Sequence, residues 1–471
     1  MPHGRPLRIL ITNVGIVNRT GTEIVAMDLA RGLARLGHFP MIWAPRLNPI
    51  VATPLLTAGI PVVSWFEDLP GVPDIIHGHH HLETIEALGR FPGVPAIFVC
   101  HSGTWWNDVP PRHPRIRRYV AVDEFCRERL SGVAWMDRSR VEVVWNAVDM
   151  ERYQPRPPLP PRPHRALIFS NYAGPGTHVE PIREACRRMS LELETVGSGA
   201  GNANAAPERL LPGYDLVFAK ARCALEAMAT GCAVILCDAG GLGAMVTSAD
   251  VKDLRRWNFG ARVLQRPLSA ESIAEEMLRY DARDAAEVSQ YIRGNAGLEN
   301  AVEQYLTLYR AVLDEPPAAS ADADWHPATA PLQIEDQAVL RLRYLTVPQS
   351  VAPGRNFTVD VGLFNGASVP IATAAPWPCL LMYRWLNART GLMVVEHGVR
   401  TIIQPPARPG EETFYSMRAI APNEPGDYIL RVTIIQEGWR WLDSLAPAVC
   451  AESPVTIAPE LPVQEVCHET I

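Results

Sequence analysis

At 471 residues, and roughly 150 residues per domain, the chain has room for about three domains, which excludes a single small module. Its 47% hydrophobic and 20% charged residues and its formal charge of −7 exclude a disordered chain and a basic nucleic-acid binder. Lys220 and Lys252 are the only lysines, so 42 of the 44 basic residues are arginine, and each ammonium that remains is worth locating. Nine scattered cysteines without a CxxC pair point to reduced thiols and a cytoplasmic location rather than to a zinc site or a disulfide framework. No run reaches the roughly 18 to 20 apolar residues of a membrane-spanning helix, and Met1 to Val17 lacks the signal-peptide pattern.

Arg8 to Asn13 (RILITN) reads as a first strand, followed by a glycine-containing loop and a helix over Thr22 to Leu36, with Val25, Leu29, Leu33 and Leu36 at helical spacing and Gly37 as a stop. Further short apolar strands are expected at Pro40 to Ala44, Pro61 to Ser64, Asp74 to His77, Ala96 to His101, Arg118 to Val122 and Val141 to Trp145. Strands alternating with helices make residues 1–154 a parallel-sheet domain. The proline-rich stretch 155–165 is a stiff linker, because proline removes backbone donors and restricts its neighbours. The same rhythm resumes over 166–313, with strands at Ala166 to Ser170, Glu192 to Val196, Leu216 to Ala219, Ala233 to Cys237 and Ala261 to Leu264, and a helical tail from Ser269 to Leu313. A second linker, 314–333, is rich in Pro, Ala and Asp. Over 334–460 the apolar period becomes two, with strands at Val339 to Tyr344, Asn356 to Phe364, Cys379 to Trp385, Leu392 to Glu396, Thr413 to Ala419 and Asp427 to Gln436, so an immunoglobulin-like β-sandwich is expected there.

Two consecutive open α/β domains create a cleft at the carboxyl ends of their strands, where such folds bind ligands. Four patterns fall at those ends. The loop Gly15 to Glu23 (GIVNRTGTE), with Gly21, Thr22 and Glu23, could turn backbone N–H groups and a helix N-terminus towards a phosphate or a sugar hydroxyl, or be an ordinary loop with a helix cap. Asp74 to His81 (DIIHGHHH) invites a metal reading, but no carboxylate or cysteine set completes a site, and His101 at the next strand end is the better candidate as proton acceptor or hydrogen-bond donor. Asn146 to Asp149 forms a polar turn at the expected hinge. In Tyr214 to Asp238 a strand ends at Lys220 and a helix follows to Gly231. Lys220, Arg222 and the helix start suit a diphosphate, and Glu226 suits a pair of vicinal hydroxyls, unless it simply pairs with Arg222 on a surface helix.

Taken together, GTE with its helix, PDIIHGH, the His101 strand end, WNAVD and GYDLVFAKARCALEAMATGCAVILCD resemble a GT-B-fold glycosyltransferase of the family 4 type, over residues 7 to 313. The resemblance implies two Rossmann-like halves, an acceptor bound by the first and a nucleotide sugar, UDP- or GDP-linked, bound by the second as co-substrate, with no tightly bound cofactor and no metal. It implies that Glu226 holds the ribose, that His101 lies near the donor sugar, and that transfer retains the anomeric configuration. The family's first motif glutamate would fall at Phe218, and its cations after the first strand of the second half are missing, since that region reads Phe169 to Gly174 and includes Asn171. Lys220 and Arg222 could replace those cations, and Gly241, in Gly240-Gly241-Leu242-Gly243, could offer backbone N–H groups to the donor.

The implied acceptor is a carbohydrate, a lipid-linked molecule or a small molecule, as in bacterial cell-surface polysaccharide synthesis. A non-catalytic glycan-binding or scaffolding protein on the same fold is the alternative, with a sugar-nucleotide epimerase third. Trp105 and Trp106 followed by Arg112, Arg115, Arg117 and Arg118 could touch an anionic inner membrane face, although a solvated loop is the simpler account. Asp322-Ala323-Asp324 reads as solvated linker charge, and Trp385, Trp439 and Trp441 as sugar-stacking or core aromatics.

Overall fold

The computed structural model describes residues 5–316, 332–373, 378–437, 440–444 and 448–458. The chain divides into two compact units, Met1–Ala319 and Ser320–Ile471.

The first unit begins with strands β1 (Arg8–Thr12), β2 (Phe39–Trp43), β3 (Val62–Val63), β4 (Ile75–His79), β5 (Ala96–Cys100), β6 (Ile116–Ala121) and β7 (Val141–Val143). They form one parallel sheet in the order β3-β2-β1-β4-β5-β6-β7. Helices α1 (Gly21–Arg35), α2 (Pro49–Thr57), α3 (His81–Arg90) and α4 (Glu124–Ser131) make the crossovers. The central strands are mostly apolar because helices cover both faces, and Ile9, Leu10, Ile11, Ile76, Ile97 and Phe98 are all buried; His77 and His79 of β4 are buried polar exceptions.

After the proline-rich linker, β8 (Arg165–Phe169), β9 (Glu192–Val196), β10 (Leu216–Ala219), β11 (Ala233–Asp238) and β12 (Gly241–Met245) form a second sheet in the order β12-β11-β10-β8-β9. Around it lie α5 (Val179–Arg188), α6 (Pro207–Leu210), α7 (Ala221–Thr230), α8 (Val251–Arg256), α9 (Ala270–Met277), α10 (Ala282–Asn295) and α11 (Leu298–Asp314). Gly231 ends α7 at φ +98°, a left-handed turn that glycine adopts without a Cβ penalty. The expected strand at Ala261 to Leu264 is instead a single 3-10 turn, Ala261–Val263. The sheet edge it would have taken is occupied by β12, which runs antiparallel to β11.

The last helix returns to the first half. Val148 donates its N–H to Ala296 O (2.9 Å), and Leu298 donates to Val148 O (2.9 Å), so the two chain segments cross at the hinge. Beyond that crossing α11 packs on α1. Gly32 permits the approach, because a Cβ there would lie 2.6 Å from Val302 Cγ2.

The second unit starts with the short helix α12 (Ile334–Ala338). One sheet joins β13 (Leu340–Thr346), β15 (Asn356–Asn365) and β19 (Glu412–Ile420), and the other joins β14 (Ser350–Val351), β22 (Cys450–Ile457), β20 (Gly426–Gln436), β16 (Cys379–Asn387) and β17 (Met393–Val395), with β18 (Thr401–Ile402) on β16 and β21 (Arg440–Trp441) on β20. Val359 and Val361 from one sheet and Leu381 and Tyr383 from the other share a single core. Trp385 is fully buried in it and donates Nε1–H to Ile420 O (2.8 Å), so it is a core residue and not a sugar platform. Trp441 lies beneath the Arg384 guanidinium at 3.9 Å, and Trp439 is outside the described residues, as are Asp322 and Asp324.

Candidate active site

At the carboxyl edge of the first sheet, the loop after β1 is tied to the start of α1. Glu23 is buried, and its Oε2 accepts the N–H groups of Asn18 (2.9 Å) and Thr20 (3.1 Å). Glu23 is therefore a helix-capping residue, as in the ordinary-loop reading. Gly21 opens α1, and nothing crowds the position its Cβ would take. The Thr22 hydroxyl meets His80 Nε2 at 3.3 Å. His80 sits between β4 and α3 at φ +65°, a conformation unusual for a residue with a Cβ, and its Nδ1 lies 3.7 Å from Asp108 Oδ1.

The histidines form a line rather than a helix face. His77 Nδ1 meets the Tyr309 hydroxyl of α11 at 2.6 Å, and His79 Nδ1 meets His101 Nε2 at 2.9 Å. Rings of His77 and His79 are 4.7 Å apart and those of His79 and His101 are 4.6 Å apart. Burial lowers His101 to about 4, against a weaker upward pull from Asp108, and lowers His77 to about 3. Both are neutral at pH 7, which leaves His101 able to take part in hydrogen bonds as a neutral ring.

These shifts predict a pH effect on stability. Between pH 6.5 and about 4 the unfolded chain binds a proton at His101 that the folded chain refuses, so this residue's contribution falls as pH falls. Glu86, raised to about 7 by burial, acts in the opposite sense. The variant His101→Asn should therefore lose less stability than wild type between pH 7 and pH 5, measured by urea unfolding; equal losses would refute the assignment.

In the basic segment near this edge Arg112 is exposed, whereas the other three arginines are engaged within the chain. Arg115 is buried and donates to the carbonyls of Leu88 (2.6 Å), Phe91 (2.7 Å) and Val94 (3.0 Å), while Arg118 pairs with Glu315 at 2.6 Å and Arg117 lies 3.5 Å from the same carboxylate. Trp105 is partly exposed and the side chain of Trp106 lies outside the described residues.

At the carboxyl edge of the second sheet, Lys220 follows β10 and caps α7. Its ammonium pairs with Asp238 at the end of β11 and lies 4.8 Å from the Tyr172 ring centroid, with about a third of the side chain exposed. Asp238 is buried and also accepts the Ser170 hydroxyl (3.1 Å) at the end of β8. Asn171 Oδ1 accepts Ser198 N–H (3.1 Å), and no Cβ fits at Gly197, where it would lie 1.9 Å from Ser170 O. Three strand ends thus converge around one partly open cation, although Asn171 itself is spent on holding a loop. Gly241 belongs to strand β12 rather than to a donor loop; a Cβ there would lie 2.8 Å from Leu264 O, and the neighbouring Leu242 N–H is bonded to Arg266 O.

Arg222 and Glu226 do not face an open cleft. Arg222 Nε donates to Glu226 Oε1 (2.8 Å), and its other end pairs with Asp28 of α1, which also holds Arg31 (3.0 Å) and Arg152 (3.1 Å). Burial pulls the Arg222 guanidinium down, but Asp28 and Glu226 outweigh it, so it stays charged. The Arg222–Glu226 pairing weighed from sequence is present, but inside an ionic cluster between the two halves and not on a surface helix. Asn146 serves the hinge through its carbonyl, which accepts from Arg255. Sequence reading missed Asp28, Asp108 and Asp238; the only local signal was the helical spacing of Asp28 and Arg31.

Phe218 is fully buried in β10, paired with Ile168 and Ile235, and α7 begins three residues later, so no loop exists to carry a glutamate there. Installing one with Phe218→Glu should unfold the first unit or cost at least about 3 kcal/mol, because it buries an unpaired carboxylate. Thermal denaturation checks this, and a stable variant with enhanced donor binding would contradict it.

Two open, mainly parallel sheets joined by a linker, with the final helix returned to the first half, define the class as a pair of Rossmann-like α/β halves, an arrangement that resembles the GT-B architecture. Residues 58–152 match the family model of Glycosyltransferase Family 4, and this segment carries His77, His101 and Asn146. Among solved structures, the chain is similar to a glycosyltransferase from Rickettsia africae (13% identity, TM-score 0.49, covering 66% of this chain and 100% of that one). It is also similar to the lipopolysaccharide outer core galactosyltransferase WaaB (11%, TM-score 0.34, 64% and 100%) and to the spinosyn forosaminyltransferase SpnP (12%, TM-score 0.38, 65% and 100%). No curated protein matches the chain.

Proposed function

We propose that the chain transfers a sugar from a nucleotide-sugar donor, UDP- or GDP-linked, to a hydroxyl of a carbohydrate, lipid-linked or small-molecule acceptor. The observation that carries this reading is Lys220, a partly open ammonium held by Asp238 where three strands of the second sheet end. A diphosphate leaving group needs a cation placed in advance at that edge. In the reaction the bond from the anomeric carbon to the diphosphate oxygen breaks, the acceptor oxygen bonds the same face, and the acceptor proton passes to the departing phosphate. The configuration is then retained, without a protein nucleophile, a resident cofactor or a metal. His101, neutral at the edge of the first sheet, accepts a hydrogen bond from the sugar or the acceptor. We place the reaction in the cytoplasm, in keeping with cysteines that are free among the described residues; no helix there is long and apolar enough to cross a membrane.

One observation favours the alternative of a glycan-binding or scaffolding protein: Glu226, the expected ribose ligand, is engaged by Arg222. A panel of UDP- and GDP-sugars with simple glycoside acceptors separates the two. Release of nucleoside diphosphate supports transfer, and failure to bind any nucleotide sugar supports the scaffold.

A further inference from the structure

At the hinge, beside the carboxyl end of β7, the structure forms a half-open pocket of about 290 Å³ whose lining includes Val143, Trp145, Arg255, Asn295, Gly297, Asn300 and Gln304. Arg255 is the unusual member. Its side chain is 2% exposed, yet it has no carboxylate partner among the described residues. It donates to Asn258 Oδ1 (3.1 Å) and to the Asn146 carbonyl, stacks at 5.5 Å from the Trp145 ring, and leaves Nε without a hydrogen-bond partner. Burying an unpaired guanidinium is costly, and here burial brings it down only to about 10, so it stays charged at neutral pH.

The same cavity is bordered by the start of α11, a helix of 17 residues whose N-cap, Gly297, provides no side-chain oxygen. The positive end of the helix dipole and the unpaired guanidinium therefore act on one space. Glu299, the acid in the first turn, is not among the lining residues; its Oε1 lies 3.7 Å from Arg35, and its Oε2 lies 3.4 Å from the position a Cβ on Gly297 would take. Asn295, Asn300 and Gln304 are exposed lining residues; Asn295 and Gln304 donate to the carbonyls of Tyr291 (2.9 Å) and Asn300 (3.3 Å) and keep carboxamide oxygens that can accept from hydroxyl groups, and Trp145 adds an aromatic face.

We infer that this cavity is a second ligand site, for a small oxyanion such as a phosphate or carboxylate carried on a hydroxylated body, bound by Arg255 and the α11 N-terminus. Because Arg255 also holds the Asn146 carbonyl and Gly297 bridges Val148, an occupant ties together the segments that join the two halves. Ligand binding there stabilises the closed crossing and raises the unfolding temperature of the first unit. The volume admits a sugar phosphate, close to the lower limit of small-molecule pockets.

The test uses the full chain, with inorganic phosphate and glucose 6-phosphate as probes, followed by calorimetry and thermal unfolding. Binding of either probe is expected, and tighter binding of glucose 6-phosphate identifies the hydroxylated body as part of the ligand. Arg255→Gln should abolish binding but risks the fold, so Asn300→Asp is the decisive variant. An acid at that exposed third helical position favours the helix, yet it repels an anion. It should keep the unfolding temperature without ligand and weaken binding by roughly tenfold or more. The inference is overturned if neither probe binds up to about 10 mM, a free energy below ordinary ligand affinities, if Asn300→Asp binds like wild type, or if UDP displaces the probe and so assigns it to the cleft.

Discussion

Replacing Asp28 with alanine should destabilise the first unit by about 3–5 kcal/mol, the largest stability effect expected of a single polar substitution in this chain. Asp28 is 1% exposed and holds three guanidinium groups, those of Arg31, Arg152 and Arg222. Arg31 and Arg152 each keep about a fifth of their side-chain exposure and can turn to water, but Arg222 is buried between the halves with only Glu226 left to balance it. Removing the carboxylate leaves an undercompensated positive cluster around a largely buried guanidinium, which is why the loss exceeds that of a surface pair. Urea unfolding should show the transition of the first unit moved to lower denaturant, while that of the second unit is unchanged. A loss below about 1 kcal/mol would mean that the cluster contributes as weakly as solvent-exposed ion pairs do.

The second large effect concerns ligand affinity. Lys220→Ala should weaken nucleotide-sugar binding by roughly 10- to 100-fold, as removal of a charge-assisted contact of about 1.5–3 kcal/mol requires. The substitution also leaves Asp238 buried without its ammonium, and that unpaired carboxylate would repel a diphosphate. The double variant Lys220→Ala with Asp238→Asn separates the two causes: if lost attraction dominates, affinity stays low, and if repulsion dominates, it recovers. Lys220→Arg should retain much of the affinity. Titration calorimetry with UDP and GDP sugars reads all three, and affinity of Lys220→Ala within twofold of wild type would remove Lys220 from the donor site.

Much of the architecture was legible because parallel strands covered on both faces read as near-continuous apolar runs. RILIT, AIFVC and AVILCD announce themselves for that reason. Elements that break this rule were not. β12 reads as a glycine loop, since GLGAM lacks bulk, and it is a strand only because β11 offers it an edge. β22 contains Glu452, Ser453 and Pro454, residues that argue against a strand, yet it pairs along its length with β20. Local propensity lost to tertiary pairing in both cases.

The candidate site divides in the same way. Sequence by itself determined that Lys220 follows a strand and starts a helix, that His101 ends a strand, and that Arg222 and Glu226 share a helix face, because each relation spans a few residues and follows from helical or strand periodicity. Only the tertiary structure decided which partners those groups meet. Asp28 reaches Arg222 across 194 residues, Tyr309 reaches His77 across 232, and Arg255 meets a hinge carbonyl 109 residues away. Those encounters depend on how two sheets and a returning helix are packed, and they settle whether a charge is spent within an ionic cluster, as in Arg222, paired but partly open, as in Lys220, or buried with no carboxylate among the described residues, as in Arg255.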